Sequence, residues 1–107
     1  MLKLALLNTS IITSDGQYHL ETISLDQAKW LIAENELDSA IGHQSTAEVM
    51  TTLLGVPVEM NRQMFVQAVD QQALVFKLDG RPAEGVVLSK DDIESMGYSF
   101  KLLTRVS

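Results

Sequence analysis

The chain has 107 residues and a mass of 11.8 kDa, a length that accommodates a single domain spanning residues 1–107. Hydrophobic residues make up 46% and charged residues 21%, which excludes the disordered and fibrous classes. A formal net charge of −6 argues against duplex DNA as a partner, because non-specific binding depends on neutralising phosphates, but it allows a small anionic ligand in a locally basic pocket.

The N-terminal stretch predicts a buried strand. Residues 3–7 form a short apolar run, and Asn8 and Ser10 follow it in a polar break. The run is too short for the apolar region of a signal peptide, and no segment approaches the roughly 18 apolar residues that a membrane span needs. We therefore expect a cytoplasmic protein with no membrane partner.

A second strand and a first helix follow. The dipeptide at residues 15–16, Asp-Gly, favours a turn because it tolerates positive φ at little cost. Residues 18–23 then predict a strand. Ser24 and Gln27 have the spacing of a capping box, which predicts that a helix begins directly after Ser24.

A connector at residues 38–42 leads to a second predicted helix. That helix is expected to open at Ser45 or Thr46, and Ser45 and Glu48 have capping-box spacing. Gly55 lies where a left-handed C-cap belongs, so the helix is predicted to end there.

The next segment predicts a β-hairpin. Residues 64–69 and 73–78 have the composition of two strands, and residues 70–72 would join them. Residues 79–82, Asp-Gly-Arg-Pro, then form a loop, because glycine and proline both interrupt regular structure.

The last elements complete an α/β pattern. Ser89 is predicted to cap a brief helix that runs to Met96 and ends at Gly97, and residues 98–106 predict the final strand. The fold class is therefore α/β, a single mixed-sheet domain of about five strands with two or three helices. The pattern leaves the strand order open. So small a domain has limited burial, which is compatible with a dimer.

A histidine just before the second helix is the strongest candidate for chemistry. The first turn of a helix has free N–H groups and a positive dipole end, which suit a phosphate. Gly42 would let the backbone approach a ligand, Ser45 and Thr46 could donate hydroxyl hydrogen bonds, and His43 could serve as a proton donor. The alternative is that Ser45 is simply the N-cap and His43 a solvated loop residue.

Arginines supply the other candidate ligands for an anion. Arg81, held in a stiff loop, could present its planar guanidinium to phosphate, and Glu84 could orient or polarise a histidine. The alternative for this pair is a surface ion pair of little energetic value. Arg62 is a further candidate ligand for an anion.

Composition also limits the chemistry. The chain has no cysteine and only two histidines, which excludes a disulfide framework, a thiol nucleophile and a multi-histidine zinc site. We expect no metal and no cofactor. His19 is expected to be structural, and Met50, Met60 and Met64 are expected to fill the core.

Together, these motifs resemble the small ring nucleases that archaeal and bacterial viruses use against type III CRISPR immunity, a family that also has host-encoded members. The resemblance extends from Leu6 to about Arg105. It is carried by the order and spacing of residues 6–8 with Ser10, 41–46, 53–55, 61–62, 81–85 and 87–89.

The resemblance implies a function and a set of site residues. Members of this family are homodimers that bind cyclic tetra-adenylate and cut it, without a metal, into linear di-adenylate ending in a 2′,3′-cyclic phosphate. By resemblance, His43 is the catalytic histidine, Arg81 and Glu84 complete the active site, and Arg62 contacts the ligand. The other implied ligand contacts are Asn8, Ser10, Ser45 and Thr46. The proline that follows Arg81 departs from the family pattern.

Two other functions remain open at this stage. The chain could be a non-catalytic binder, a sponge, for the same cyclic messenger. It could also be a DNA-binding regulatory protein, although its net charge argues against this. A viral enzyme would antagonise type III CRISPR signalling, whereas a host enzyme would reset it.

Overall fold

The structure, a computed structural model, describes residues 2–80 and 88–107. They form a five-stranded mixed sheet and three helices, which confirms the predicted fold class. In chain order the elements are β1 (Leu4–Leu7), β2 (Tyr18–Ile23), α1 (Leu25–Glu34), β3 (Leu37–Ser39), α2 (Gln44–Leu54), β4 (Gln72–Leu78), α3 (Lys90–Met96) and β5 (Tyr98–Arg105). No helix in the described part of the chain has the length and hydrophobicity to cross a membrane.

The strand order is β2-β5-β4-β1-β3. β1 pairs in parallel with β3 on one side and with β4 on the other, while β5 runs antiparallel to both β4 and β2. The carboxyl ends of β1, β3 and β4 therefore lie at one edge of the sheet. In α/β sheets that edge is where loops build ligand sites.

β3 corrects the prediction for residues 38–42. We expected a connector, but Leu37–Ser39 forms a three-residue strand in parallel register with β1, where Leu4 faces Leu37 and Leu6 faces Ser39. Its sequence, Leu-Asp-Ser, lacks the run of β-branched and aromatic residues that identifies a strand. Pairing with β1, whose residues are all buried, stabilises this strand although its own residues do not favour one.

One face of the sheet carries the main core. Side chains from β1, β4 and β5 pack there against the buried faces of the helices. Phe76 and Phe100 lie at its centre, with ring centroids 5.1 Å apart. Met50 of α2 is fully buried in this layer, as expected. Burial of apolar side chains, worth about 1.5–3 kcal/mol each, holds the helices on this face.

The helix caps follow the predicted spacing in two of three cases. Ser24 forms a capping box with Gln27 and starts α1, and Ser89 forms one with Asp92 and starts α3.

The backbone N–H of Ser89, and then its hydroxyl, lower the pKa of the Asp92 carboxyl. Stabilisation from this carboxylate is therefore present at neutral pH and is lost as the pH falls through its folded pKa. Gly55 ends α2 with φ of 72°, as predicted.

The start of α2 differs from the prediction. The helix begins at Gln44, one residue earlier than expected, and its N-cap is His43 rather than Ser45. No side chain caps it, so the predicted capping box of Ser45 with Glu48 is wrong. Ser45 instead lies inside the first turn, where its backbone is already helical.

Residues 64–69 do not form the predicted strand, and the hairpin with β4 is wrong. Their burial alternates as in a strand, with Phe65 and Gln67 buried and Met64 and Val66 exposed. However, β1 and β5 already occupy both edges of β4, so no edge is left for this segment to pair with. The segment packs over the second face of the sheet, where Phe65 joins a smaller core with Ala5 and other strand residues.

Buried polar side chains secure this second layer. Gln67 donates from Nε2 to the carbonyls of Gln71 and Leu103, at 2.6 and 2.9 Å. Arg105 donates to the Gln67 carbonyl at 2.6 Å and to the Asp15 carbonyl at 3.2 Å. These bonds tie two irregular segments to β5, where no helix covers the sheet.

The two serines offer a direct test of the helix starts. Ser24→Ala should lower the free energy of unfolding by about 1 kcal/mol, because it removes a true N-cap. Ser45→Ala should change it by less than about 0.5 kcal/mol, because that hydroxyl caps nothing. Urea denaturation of both variants measures the difference. An equal loss in both would contradict the observed start of α2.

Candidate functional site

Asn8 and Gly42 meet at the carboxyl edge of the sheet. Asn8 follows β1, and Gly42 lies three residues beyond the end of β3. Since these two strands are parallel neighbours, the loops that leave them are adjacent. The backbone N–H of Gly42 donates to Oδ1 of Asn8 at 3.2 Å. This bond fixes the Asn8 amide so that its Nδ2 donors remain for another partner.

Arg62 reaches the same place from a different part of the chain. The atom of Arg62 nearest to Gly42 is Cγ, which lies 3.8 Å from the position that a Cβ would take on the glycine. The neighbouring residue, Asn61, donates its backbone N–H to the Ile41 carbonyl at 3.0 Å. Arg62 is exposed, so its guanidinium is available to an anion beside the loop.

The N-terminus of α2 adjoins this cluster. His43 is the N-cap in extended conformation, with φ of −133° and ψ of 130°, and its carbonyl accepts from the N–H of Ala47 at 3.2 Å. The side chains of His43 and Ser45 are exposed, and Thr46 is half-buried. The side chain of His43 makes no capping hydrogen bond, so within the described residues the first-turn N–H groups and the positive dipole end of α2 are open to a ligand at this edge.

The predicted residues are therefore only partly brought together. Gly42 is hydrogen-bonded to Asn8, and Arg62 Cγ lies 3.8 Å from the position that a Cβ would take on Gly42. His43, Ser45 and Thr46 follow Gly42 along the chain. Ser10 is exposed two residues beyond Asn8, and no hydrogen bond among the described residues joins it to the cluster. Arg81 and Glu84 lie outside the described residues, so their roles stay predictions.

The chain nevertheless leaves β4 at the same edge. β4 ends at Leu78 in parallel with β1, and the N–H of Asp79 donates to the Gly97 carbonyl at 2.8 Å. The chain that leads to Arg81 therefore leaves the sheet from the strand next to β1, which Asn8 follows. Within residues 2–80 and 88–107, no three His, Asp or Glu side chains form a group that could hold a metal ion.

Sequence reasoning missed the residues that support Arg62. Ser39 and Gln63 hydrogen-bond across 20 or more positions of the chain, Ser39 to the Glu59 carbonyl and Gln63 to the Ser39 carbonyl. The polar run Asn61-Arg62-Gln63 was a signal that this segment is not a simple core strand. One other expectation is corrected, since Met60 and Met64 are exposed rather than core residues. His19 lies on β2, a strand that the sequence predicted, and its side chain is exposed.

The protein is a small α/β domain with a mixed sheet. Its candidate site is polar, includes an arginine and lies at the carboxyl edge of the parallel strands. The chain belongs to the STIV B116-like family, which it matches over residues 4–100. It is similar to the protein B116 of Sulfolobus turreted icosahedral virus in structure, with a TM-score of 0.82, 23% identity, and coverage of 96% of this chain and 99% of that one. That likeness establishes the shared fold.

Relatives come from a bacterium and from viruses. YddF of Bacillus subtilis (strain 168) is 41% identical over 107 residues, which cover 98% of this chain and 99% of YddF. ORF117 of Acidianus two-tailed virus is 34% identical over 109 residues, covering 96% of this chain and 93% of ORF117. Protein 26 of Sulfolobus islandicus filamentous virus is 31% identical over 91 residues, covering 83% and 76%.

Gly42 can be tested for a purely structural role. A Cβ there would meet Arg62 Cγ at 3.8 Å and Asn8 Oδ1 at 3.9 Å, which are ordinary contacts. Gly42→Ala should therefore change the free energy of unfolding by less than about 0.5 kcal/mol. Gly55→Ala is the control, and it should cost about 1–2 kcal/mol because φ at Gly55 is 72°. Equal costs in urea denaturation would mean that Gly42 is needed by the fold.

Proposed function

We propose that this protein is a metal-independent ring nuclease that cleaves cyclic tetra-adenylate to linear di-adenylate with a 2′,3′-cyclic phosphate. The observation that carries the proposal is the convergence of Asn8, Gly42 and Arg62 beside the uncapped α2 N-terminus, with His43 as its N-cap. Donors for a phosphate and a group that can transfer a proton lie on consecutive residues there. In a cell, such an activity would antagonise or reset type III CRISPR signalling.

The ligand would supply its own nucleophile. A ribose 2′-OH can attack the adjacent phosphorus, so the protein needs no activated serine or cysteine. As O2′ bonds to phosphorus, its proton passes to water and the bond from phosphorus to O5′ breaks. The main task of the protein is to hold O2′ in line with the breaking bond, which is an orientation effect.

Charge that develops on the phosphoryl oxygens needs fixed donors. Backbone N–H groups of the α2 first turn and the hydroxyls of Ser45 and Thr46 are donors of this kind. Arg62 adds a positive charge at the same edge, and Arg81 is predicted to add another. In a chain with a net charge of −6, these few cations would have to concentrate positive potential at this edge.

His43 is proposed as the general acid. The leaving O5′ must gain a proton as the bond to phosphorus breaks, and an imidazolium in contact with that oxygen can donate it. The side chain of His43 is exposed at the N-cap, so a bound ring can reach it. Glu84 is predicted to orient the imidazole.

A homodimer would match the symmetry of the ligand. A two-fold axis relates two identical sites, so each subunit could cut one of two opposite phosphates and yield identical halves. The side of the sheet without helices offers an apolar surface for such a contact. The exposed side chains of this surface include Ile12, Met64 and Val66, whose exposed fractions are 57%, 93% and 57%. Thr13 donates to the Phe65 carbonyl at 3.5 Å, which brings the first of these residues next to the other two.

Non-catalytic binding of the same ring is the second candidate. It is supported by the N–H groups of the α2 first turn, which are phosphate donors separate from the imidazole of His43. A histidine that is not oriented in the bound state would be a weak acid catalyst, while the phosphate donors would still hold the ligand.

Substitution of the two histidines distinguishes these functions. With EDTA present, wild-type protein should convert cyclic tetra-adenylate to di-adenylate products. His43→Ala should slow this at least about 100-fold, because it removes the proposed general acid. His19→Ala is the matched control, since His19 is equally exposed but lies on β2, and its turnover should equal that of wild type. Chromatography of the products measures both.

Two results would contradict catalysis. Recovery of intact ligand after long incubation with equimolar wild-type protein, together with tight binding, would favour the non-catalytic binder. Equal turnover by His43→Ala and wild type would remove His43 from the mechanism.

The dimer surface can be tested separately. Met64→Lys should convert a dimer to a monomer, because it introduces a charge into the apolar contact. Trp30→Lys should leave the oligomeric state unchanged, because Trp30, although 63% exposed, lies on α1 on the opposite side of the sheet. Sedimentation velocity distinguishes the two states. Dissociation by Trp30→Lys, with none by Met64→Lys, would move the interface to the helices.

A further inference from the structure

Residues 59–63 lie along the outer edge of β3 and are held there mostly by side chains. Ser39 donates its hydroxyl to the Glu59 carbonyl at 2.6 Å. The Ser39 carbonyl accepts two bonds, from Nδ2 of Asn61 at 2.8 Å and from Nε2 of Gln63 at 2.7 Å. We call Ser39, Asn61 and Gln63 the Ser39 clamp.

Further bonds connect the clamp to the loop before α2. The hydroxyl of Ser39 also accepts from the N–H of Ile41 at 3.3 Å. The Ile41 carbonyl in turn accepts from the N–H of Asn61 at 3.0 Å. Gln63 has a second acceptor in Asp38 Oδ1, at 3.1 Å. Ser39 is thus bonded to both the segment and the loop.

These side-chain bonds do what a strand ladder would otherwise do. β3 has only three residues and is the last strand of the sheet on this side, and residues 59–63 are not part of the sheet. A segment held by few regular backbone bonds is expected to sample many conformations. Asn61 and Gln63 bond to β3 on either side of Arg62, while Arg62 itself is exposed and lies against Gly42.

We propose that Ser39, Asn61 and Gln63 are positioning residues for Arg62. They hold its backbone beside the loop that carries Gly42 and His43, so the guanidinium is near the phosphate site before a ligand arrives. Without them, binding would have to order the segment as well as the ligand, at a cost in affinity. The role in binding rests on the proposed function, whereas the role in holding the segment does not.

A pair of substitutions at Ser39 separates positioning from mere structure. Ser39→Ala removes the hydroxyl, and Ser39→Thr keeps it on a residue that suits a strand. With cyclic tetra-adenylate as substrate, Ser39→Ala should raise KM about tenfold with little change in kcat, the signature of lost uniform binding. Ser39→Thr should stay within about twofold of wild type.

A double-mutant cycle shows whether the effect passes through Arg62. If it does, Ser39→Ala should have little further effect on KM in the Arg62→Ala background, because the residue being positioned is gone. If KM of the double variant rises by the product of the two single-variant increases, the proposal is overturned. A Ser39→Thr variant as impaired as Ser39→Ala would overturn it as well, since the hydroxyl would then not be the relevant group.

Amide hydrogen exchange of the free protein tests the holding role without any ligand. In Ser39→Ala the amides of Ile41 and Asn61 should exchange about tenfold faster, while the amide of Val75 in the central strand β4 should be unchanged. Unchanged exchange at Asn61 would overturn the proposal. If wild-type protein neither binds nor cuts the ring, the proposed function fails, and exchange at these amides still decides whether the clamp holds the segment.

Discussion

Parallel pairing of β1 with both β3 and β4 is the constraint on which the site depends. All four residues of β1 are buried, so this strand lies inside the sheet and cannot shift register without exposing leucine side chains. The register puts Leu6 level with Ser39 and with Leu74. The chain therefore leaves β1, β3 and β4 at one edge, and Asn8 can accept from the N–H of Gly42. The contacts proposed for Asn8 and for the loop before α2 follow from this arrangement.

Local signals made much of the fold predictable. Strand β2 and the caps at Ser24, Ser89 and Gly55 were predicted correctly because each depends on residues no more than a few positions apart. The failures have a different origin. Residues 64–69 have strand composition, but whether they pair depends on which edges of β4 are free. Likewise, β3 is a strand because β1 has an open edge beside it, not because its own three residues favour one.

Sequence motifs predicted only part of the candidate site. His43, Gly42 and Arg62 could be selected because each stands beside a helix start or in a polar run, and the family resemblance joined them. Ser45 was expected to be a cap, yet the N-cap of α2 is His43, two residues earlier, which leaves the Ser45 hydroxyl for other partners. The Ser39 clamp could not be predicted, because its bonds join residues 20 or more positions apart and involve serine, asparagine and glutamine, which are common in loops.

The two faces of the sheet differ in the interactions that stabilise them. On one face, apolar packing of three helices supplies most of the buried surface, and substitutions there should unfold the protein. On the other, the smaller core is covered by irregular segments that depend on hydrogen bonds from Gln67 and Arg105. At the edge of the sheet, the Ser39 clamp holds residues 59–63 beside β3. Such bonds are worth only about 0.5–1.5 kcal/mol each, so these segments can open without loss of the main core. Arg62 belongs to the segment that the clamp holds. Its freedom to move is therefore set by a few polar contacts, and a ligand that binds there would stabilise this segment more than the fold.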